Sequence, residues 1–220
     1  MKRGGDFAVA LTAGLLLSPV LLVVAALVRI TTGGTALFRQ RRTGLGGEEF
    51  EILKFRTMRD PRYPGEPDGP RITGFGRMLR TTSIDELPQL WNVLRGDMSL
   101  VGPRPTLPEQ VARYSPRQRG RLAVRPGLTG WAQVCGRNSL SWPERIELDL
   151  WYIERRGLAL DARIMLRTVG VLVRRNGITG ANGVNPGFPA PASASRPRPT
   201  VLPLPQRASM KVAEPAEEAS

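Results

Sequence analysis

Residues able to do chemistry gather in three stretches where carboxylates and arginines lie on tight backbone. The first is 80–88, RTTSIDELP, in which Asp85 and Glu86 are adjacent and Arg80 is close enough to neutralise a bound phosphate. In a helix, adjacent side chains diverge by about 100° and cannot act as a face-to-face pair. The two would take different roles, one attacking or binding metal and the other positioning. Ser83 and Glu86 also satisfy a capping-box spacing, so a plain helix start is the competing reading. Pro88 weakens it, because a proline so early disturbs a regular first turn. The second stretch is 96–105, GDMSLVGPRP. Arg104 stands between two prolines on stiff backbone, either gripping a phosphate bidentately or lying exposed in a loop. The third is 125–138, RPGLTGWAQVCGRN. Gly127, Gly130 and Gly136 suit close approach to a ligand or tight turns, and Trp131 suits a nucleobase stack or a half-buried core position. Outside these stretches, Asp149 reads as a solvated charge and Asp161 as a helix cap.

Composition limits what these residues can do. The chain has 220 residues, no histidine and one cysteine, Cys135. The usual neutral-pH proton shuttle is missing, so acid–base or nucleophilic work falls to carboxylates, Lys, Tyr, Ser or Cys135. A zinc site and an internal disulfide are excluded on the same counts, whereas an oxygen-liganded ion such as Mg²⁺ stays open. The net charge is +13, nearly all of it outside residues 185–220. Such a charge seeks polyanions: nucleic acid, anionic lipid headgroups or phosphorylated substrates.

The elements that must position these groups follow from pattern. Residues 7–30 form the only long apolar run, long enough for the ~20 residues of a membrane helix. Basic residues flank it on both sides, Lys2 and Arg3 before and Arg39, Arg41 and Arg42 after, which contradicts a simple crossing. Ser18-Pro19 sits at its centre, where proline kinks a helix and the serine hydroxyl can satisfy a freed carbonyl. A helix that enters one leaflet, bends at Ser18-Pro19 and returns reconciles both facts; a plain N-terminal anchor is the alternative. Residues 36–42 and 49–58, around the glycines of 44–47, predict a hairpin. Residues 60–70 predict a loop and 72–94 a helical stretch interrupted near 83–88. Residues 102–105 must be extended. Helices are predicted over 142–154, opened by Ser141 with Pro143 in its first turn, and over 161–175. On the latter, Leu160, Ile164, Thr168 and Leu172 share one face, which either lies on an anionic membrane or packs on the core. Residues 185–220, rich in Pro, Ala and Ser, are expected to be disordered.

Taken in order, KFRTM at 54–58, SIDELPQL at 83–90, GDMSLVGPRP at 96–105, RPGLTGWAQV at 125–134 and GRN at 136–138 resemble the bacterial sugar transferase family. These are monotopic phosphoglycosyl transferases that begin glycan assembly on undecaprenyl phosphate, and the likeness covers about residues 2–178. It implies an α/β module, mostly helical with a small β-hairpin, of the small catalytic-core type. A re-entrant membrane helix would occupy 1–34, hinged at Ser18 and Pro19. A cytoplasmic catalytic domain would occupy 35–184 and a disordered tail 185–220. It implies Asp85 as nucleophile and Mg²⁺ ligand, Glu86 as its dyad partner, and Lys54, Arg80, Arg104 and Arg137 near substrate phosphates. Asp161 is a further active-site candidate. The partners implied are a UDP-sugar, a polyprenyl phosphate and membrane lipid at the cytoplasmic face of a bacterial inner membrane; a homodimer stays open. The sequence departs from the family pattern at Thr35-Ala36, often a proline and an apolar residue, and at Cys135, often Asn. A nucleic-acid-binding protein would explain the charge but neither residues 7–30 nor the acidic pair, so no nucleic-acid partner is expected. A non-catalytic membrane scaffold would explain the anchor, and would tolerate loss of Asp85 and Arg104.

Overall fold

The computed structural model describes residues 2–136 and 139–174, with side-chain surroundings given up to residue 172. The disorder expected of 185–220 and the site role expected of Arg137 fall outside the described residues. In chain order the elements are α1 (Lys2–Thr32), β1 (Leu37–Thr43), β2 (Glu49–Phe55), α2 (Asp68–Arg71), α3 (Gly74–Thr82), α4 (Leu90–Arg95), β3 (Ser99–Val101), α5 (Pro108–Val111), β4 (Gly127–Thr129), α6 (Trp131–Cys135), α7 (Trp142–Arg155) and α8 (Leu158–Arg174). Short 3₁₀ turns occupy Leu45–Gly47, Ile84–Gln89 and Gln118–Ala123. The fold is mostly helical, as expected, with two small sheets of which only the β1–β2 hairpin was anticipated.

The expected hairpin forms, with β1 and β2 antiparallel in a register that pairs Leu37 with Phe55 and Thr43 with Glu49. Its outer edge is not left open. Asn92 of α4, fully buried, accepts the Leu53 N–H at 3.1 Å and donates to the Glu51 carbonyl at 2.7 Å, so one side chain does the work of a neighbouring strand. The second sheet escaped the sequence pattern. Strands β3 and β4 pair in parallel over three residues each. Three glycines allow it: a Cβ on Gly127 would sit 2.1 Å from the Gly102 nitrogen, and one on Gly130 2.1 Å from the Gly102 carbonyl oxygen. The close approach expected of these glycines is therefore to another backbone.

Helix α1 runs through Pro19, and the Ser18 hydroxyl donates to the Leu15 carbonyl at 2.8 Å. That carbonyl is the one Pro19 cannot bond, so the serine supplies the missing donor. Both ends of α1 pack on the same domain. At the first end Lys2 bonds the Val101 carbonyl, Tyr152 and Asp161, and buried Asp6 accepts from Ser99 at 2.7 Å. Arg3 donates to the carbonyls of Val93 and Leu94, and Ala10 is buried in the main core with Ile52, Val93, Met98, Trp131, Tyr152 and Ile164. At the other end Val24 and Val28 are buried against Phe55 and Leu79. The opposite face, including Leu15, Leu16, Leu22, Val23 and Ile30, is exposed. Among the described residues α1 is the one helix long and apolar enough to cross a membrane.

On α8 the predicted apolar face turns inward. Ile164 is fully buried, and Thr168 bonds Thr129 at 2.8 Å. A second apolar stripe, Leu158, Ala162, Met165, Leu166 and Val169, is exposed, with Arg163 and Arg167 beside it.

Replacing Asn92 with Ala orphans a buried strand-edge N–H and carbonyl, so stability falls by about 2 kcal/mol or more. Chemical denaturation of the detergent-solubilised protein measures this, and an unchanged midpoint would contradict the edge-clamping role.

Candidate active site

Asp85 and Glu86 lie in the 3₁₀ turn that follows α3 directly. The capping-box alternative fails. Ser83 has φ 58°, the only positive φ at a non-glycine among the described residues, and its side chain caps nothing. It closes α3 instead, with its N–H on the Arg80 carbonyl at 3.2 Å. The left-handed residue turns the chain sharply, and Pro88, which lacks an N–H, suits the tighter 3₁₀ geometry that follows. Holding serine there costs of order 1 kcal/mol, a strain of the kind found where a side chain must be aimed.

The two carboxylates are treated differently, as the divergence of neighbours requires. Glu86 accepts from Lys54 at 2.7 Å and from both terminal nitrogens of Arg104 at 2.5 and 3.3 Å. Burial alone would raise its pKa, but the Arg104 and Lys54 charges outweigh that and hold it well below the usual carboxylate range. Asp85 makes no hydrogen bond or ion pair with any described residue. Burial, and next the Glu86 charge, push its pKa up to about 6 against the pull of Lys54, Arg104 and Arg80. Burial also lowers Lys54, which Glu86 only partly opposes. The pair thus consists of a carboxylate tied to two cations and held ionised, and one that bonds no described residue and whose pKa burial raises to about 6.

Four elements bring these groups together. Lys54 comes from β2. Arg80 ends α3 and is fixed by its Nε donating to Thr57 at 2.8 Å. That contact requires α3 to lie on the chain after β2: the Thr73 hydroxyl caps the helix by accepting from Gly76, where a Cβ would meet the Thr57 carbonyl at 2.0 Å. Arg104 comes from the Pro-rich loop after β3, which is pinned twice. Thr43 of β1 bonds the Thr106 carbonyl at 2.9 Å, and Arg121 donates to the Arg104 carbonyl at 3.2 Å.

Arg121 leads to a feature that sequence reading missed. It is buried and paired to Asp149 at 2.6 and 2.9 Å, with Tyr114 on a third nitrogen. Asp149 is therefore a core charge, not a solvated one. The signal was available in α7: Asp149 shares its face with Ile146 and Tyr152, and a charge on a core face implies a buried partner. Trp131 takes the core alternative, stacked on Trp151 with centroids 5.1 Å apart. Asp161 is not the helix cap its position suggested, because α8 starts at Leu158 and Asp161 lies inside its first turn. It accepts from Lys2 and Tyr152, so its bonds tie α8 to the start of α1, and none reaches the acidic pair. The structure thus brings Lys54, Asp85, Glu86 and Arg104 together, with Arg80 near enough for its charge to act on Asp85, while Asp161 serves a different cluster.

Among the described residues no group of three or more His, Cys, Asp or Glu side chains could enclose an ion. Mg²⁺ commonly keeps several waters and takes one or two carboxylates plus substrate phosphates. Asp85, an unpaired carboxylate beside cations suited to phosphate, fits that donor set.

The description "Bacterial sugar transferase" fits a family model that matches residues 1–175. An uncharacterized sugar transferase, EpsL, of Bacillus subtilis is 44% identical over 187 residues, covering 84% of this chain and 93% of the relative. The UDP-glucose:undecaprenyl-phosphate glucose-1-phosphate transferase of Caulobacter vibrioides is 46% identical over 78% of this chain and 69% of its own length. The UDP-galactose-lipid carrier transferase of Erwinia amylovora is 39% identical over 80% of this chain, which spans 41% of that longer protein.

Removing the carboxylate in Asp149→Ala strands a buried guanidinium, so stability falls by about 3–5 kcal/mol. Thermal and urea unfolding measure it; a loss below ~1 kcal/mol would be that of a surface pair and would contradict the anchoring role.

Proposed function

Because the chain belongs to the bacterial sugar transferase family, we propose that it transfers a sugar-1-phosphate from a UDP-sugar to polyprenyl (undecaprenyl) phosphate and releases UMP. The observation that carries this reading is the division of labour in the acidic pair: Glu86 is spent on Lys54 and Arg104 while Asp85 is bare and held near neutrality. A half-buried carboxylate with no partner among the described residues is costly to keep unless it reacts or binds a cation.

In the proposed reaction an Asp85 oxygen attacks the sugar-bearing phosphorus of the donor. The phosphorus–oxygen bond to UMP breaks, and UMP leaves with the electron pair. An oxygen of the polyprenyl phosphate then attacks the aspartyl phosphosugar. The bond to Asp85 breaks, which frees the carboxylate and yields the lipid diphosphosugar. Lys54, Arg80 and Arg104 offset charge on the transferred group, with Glu86 holding two of them in place beforehand. Mg²⁺ bound at Asp85 would add charge neutralisation at the diphosphate.

The membrane arrangement is also a proposal: a monotopic protein on the cytoplasmic face of a bacterial inner membrane, with α1 re-entrant about Ser18-Pro19. A crossing helix needs about 30 Å of free length. Between the buried Ala10 and Val24, residues 11–23 give only about 20 Å. The exposed apolar faces of α1 and of α8, the latter beside Arg163 and Arg167, support a seat in one leaflet. Cysteines introduced near Lys2 and after residue 174 should label from the same side; labelling from opposite sides would sink this topology.

The enzymatic test is purified protein with polyprenyl phosphate and a panel of UDP-sugars, read as UMP. At least one sugar should give turnover, and Asp85→Asn should lose several orders of magnitude. Glu86→Gln should be severe with residual turnover. Attack needs ionised Asp85, so turnover with the donor should be lost on acidification, at a lower pH when Mg²⁺ is present because the cation favours the carboxylate. The same raised pKa predicts the opposite trend in stability. The ionised form is disfavoured in the fold, so Asp85→Asn should gain stability at pH 8 and lose that gain by about pH 4. Substantial UMP release by Asp85→Asn would exclude it as nucleophile.

A further inference from the structure

Arg104 cannot by itself be the bidentate phosphate grip that its setting suggests. Both of its terminal nitrogens are on Glu86. Two other arginines near enough to feel its charge are in the opposite condition. Among the described residues Arg42, near the end of β1, donates only to Gln40, at 2.7 Å, and its buried Nε finds no partner. Arg145, in the first turns of α7, donates its Nε to the Leu140 carbonyl and lies over the Trp142 ring, while one terminal nitrogen is buried without a partner. Burial, and next the Arg104 charge, lower both guanidinium pKa values, Arg42 to about 10. The nearby carboxylates, Glu86 and Glu109 for Arg42 and Asp149 for Arg145, offset only part of this and make no hydrogen bond or ion pair with either arginine among the described residues. Glu86 serves Lys54 and Arg104, and Asp149 binds Arg121 through one oxygen, its other oxygen staying unpaired one turn from Arg145.

Like charges that are half-buried, crowded and short of acceptors are costly in a folded protein. A multivalent anion relieves all three conditions: it supplies acceptors, opposes the mutual repulsion and replaces lost solvent. The loop that carries Arg104 is bonded directly to β1 by Thr43 and Thr106 and to the α7 region through Arg121 and Asp149, so the three arginines share one framework. We propose that Arg42 and Arg145 form, with Arg104, a phosphate-binding subsite beside the Asp85–Glu86 pair. The identification of its natural occupant as a phosphate of the nucleotide donor or of the lipid acceptor rests on the transferase reading; the anion site itself does not.

The test uses full-length protein in detergent and three probes: inorganic diphosphate, UDP and a short-chain polyprenyl phosphate, each followed by calorimetry. Wild type should bind diphosphate, and Arg42→Gln and Arg145→Gln should each weaken it about tenfold, the scale of a charge-assisted hydrogen bond. Arg42→Lys and Arg145→Lys keep the charge without the fork and should lose less. They guard against a folding defect, as does unchanged thermal unfolding. Arg39→Gln, an exposed position on the same strand, should bind as wild type. A parallel loss for UDP assigns the occupant to the donor, and one for the polyprenyl phosphate assigns it to the acceptor. Diphosphate binding that depends on both arginines, without UMP formation from any UDP-sugar, would keep the subsite and remove the transferase reading. Wild-type diphosphate affinity in both glutamine variants, or no diphosphate binding by wild type, would overturn the subsite.

Discussion

The site depends on one interaction, the fork in which Glu86 receives Lys54 from the hairpin and Arg104 from the Pro-rich loop. Without it, two cations and a carboxylate from three separate segments would each need water or a partner of their own. With it, the charges are pre-placed and the neighbouring Asp85 is left without a bond to any described residue. The cost of that arrangement falls on Asp85, whose ionised form is disfavoured by burial and by Glu86. A group held in this way is poised to take a proton, a cation or an electrophilic phosphorus.

Much of the rest of the molecule serves to hold that fork still. Asn92 fixes β2 against α4, Gly76 lets α3 lie on the chain beyond β2, and the buried Arg121–Asp149 pair holds the backbone of Arg104. Gly102 after β3, with Gly127 and Gly130 at the two ends of β4, brings the Pro-rich loop and the 125–130 segment into backbone contact. The acidic pair's two roles therefore come from geometry set by several long-range contacts, none of them between neighbours in sequence.

Local features were legible before the structure. Ser18-Pro19, the hairpin, Ser141 opening α7, and a break near 83–88 each follow from short-range rules of backbone and capping. The grouping of Lys54, Asp85, Glu86 and Arg104 was legible through family resemblance, because their separation in sequence gives no hint of contact. What stayed hidden was long-range: the parallel pairing of β3 with β4, the partner of Asp149, and the bonds between Lys2 and Asp161. A three-residue parallel strand has too little periodicity to detect, and a glycine reads alike whether a ligand or a peptide lies against it. Ser83 misled because the capping spacing is satisfied in sequence, while the backbone there is left-handed.

The account turns on a covalent phosphosugar carried by Asp85, and mass spectrometry of peptides from protein incubated with a turnover-competent UDP-sugar, lipid withheld, tests it most directly. The peptide containing Asp85 should gain the mass of one phosphosugar, with about one equivalent of UMP released per active site, and added polyprenyl phosphate should discharge it. An unmodified Asp85 peptide, with UMP appearing only once lipid is present, would contradict the account and favour direct attack by the lipid phosphate.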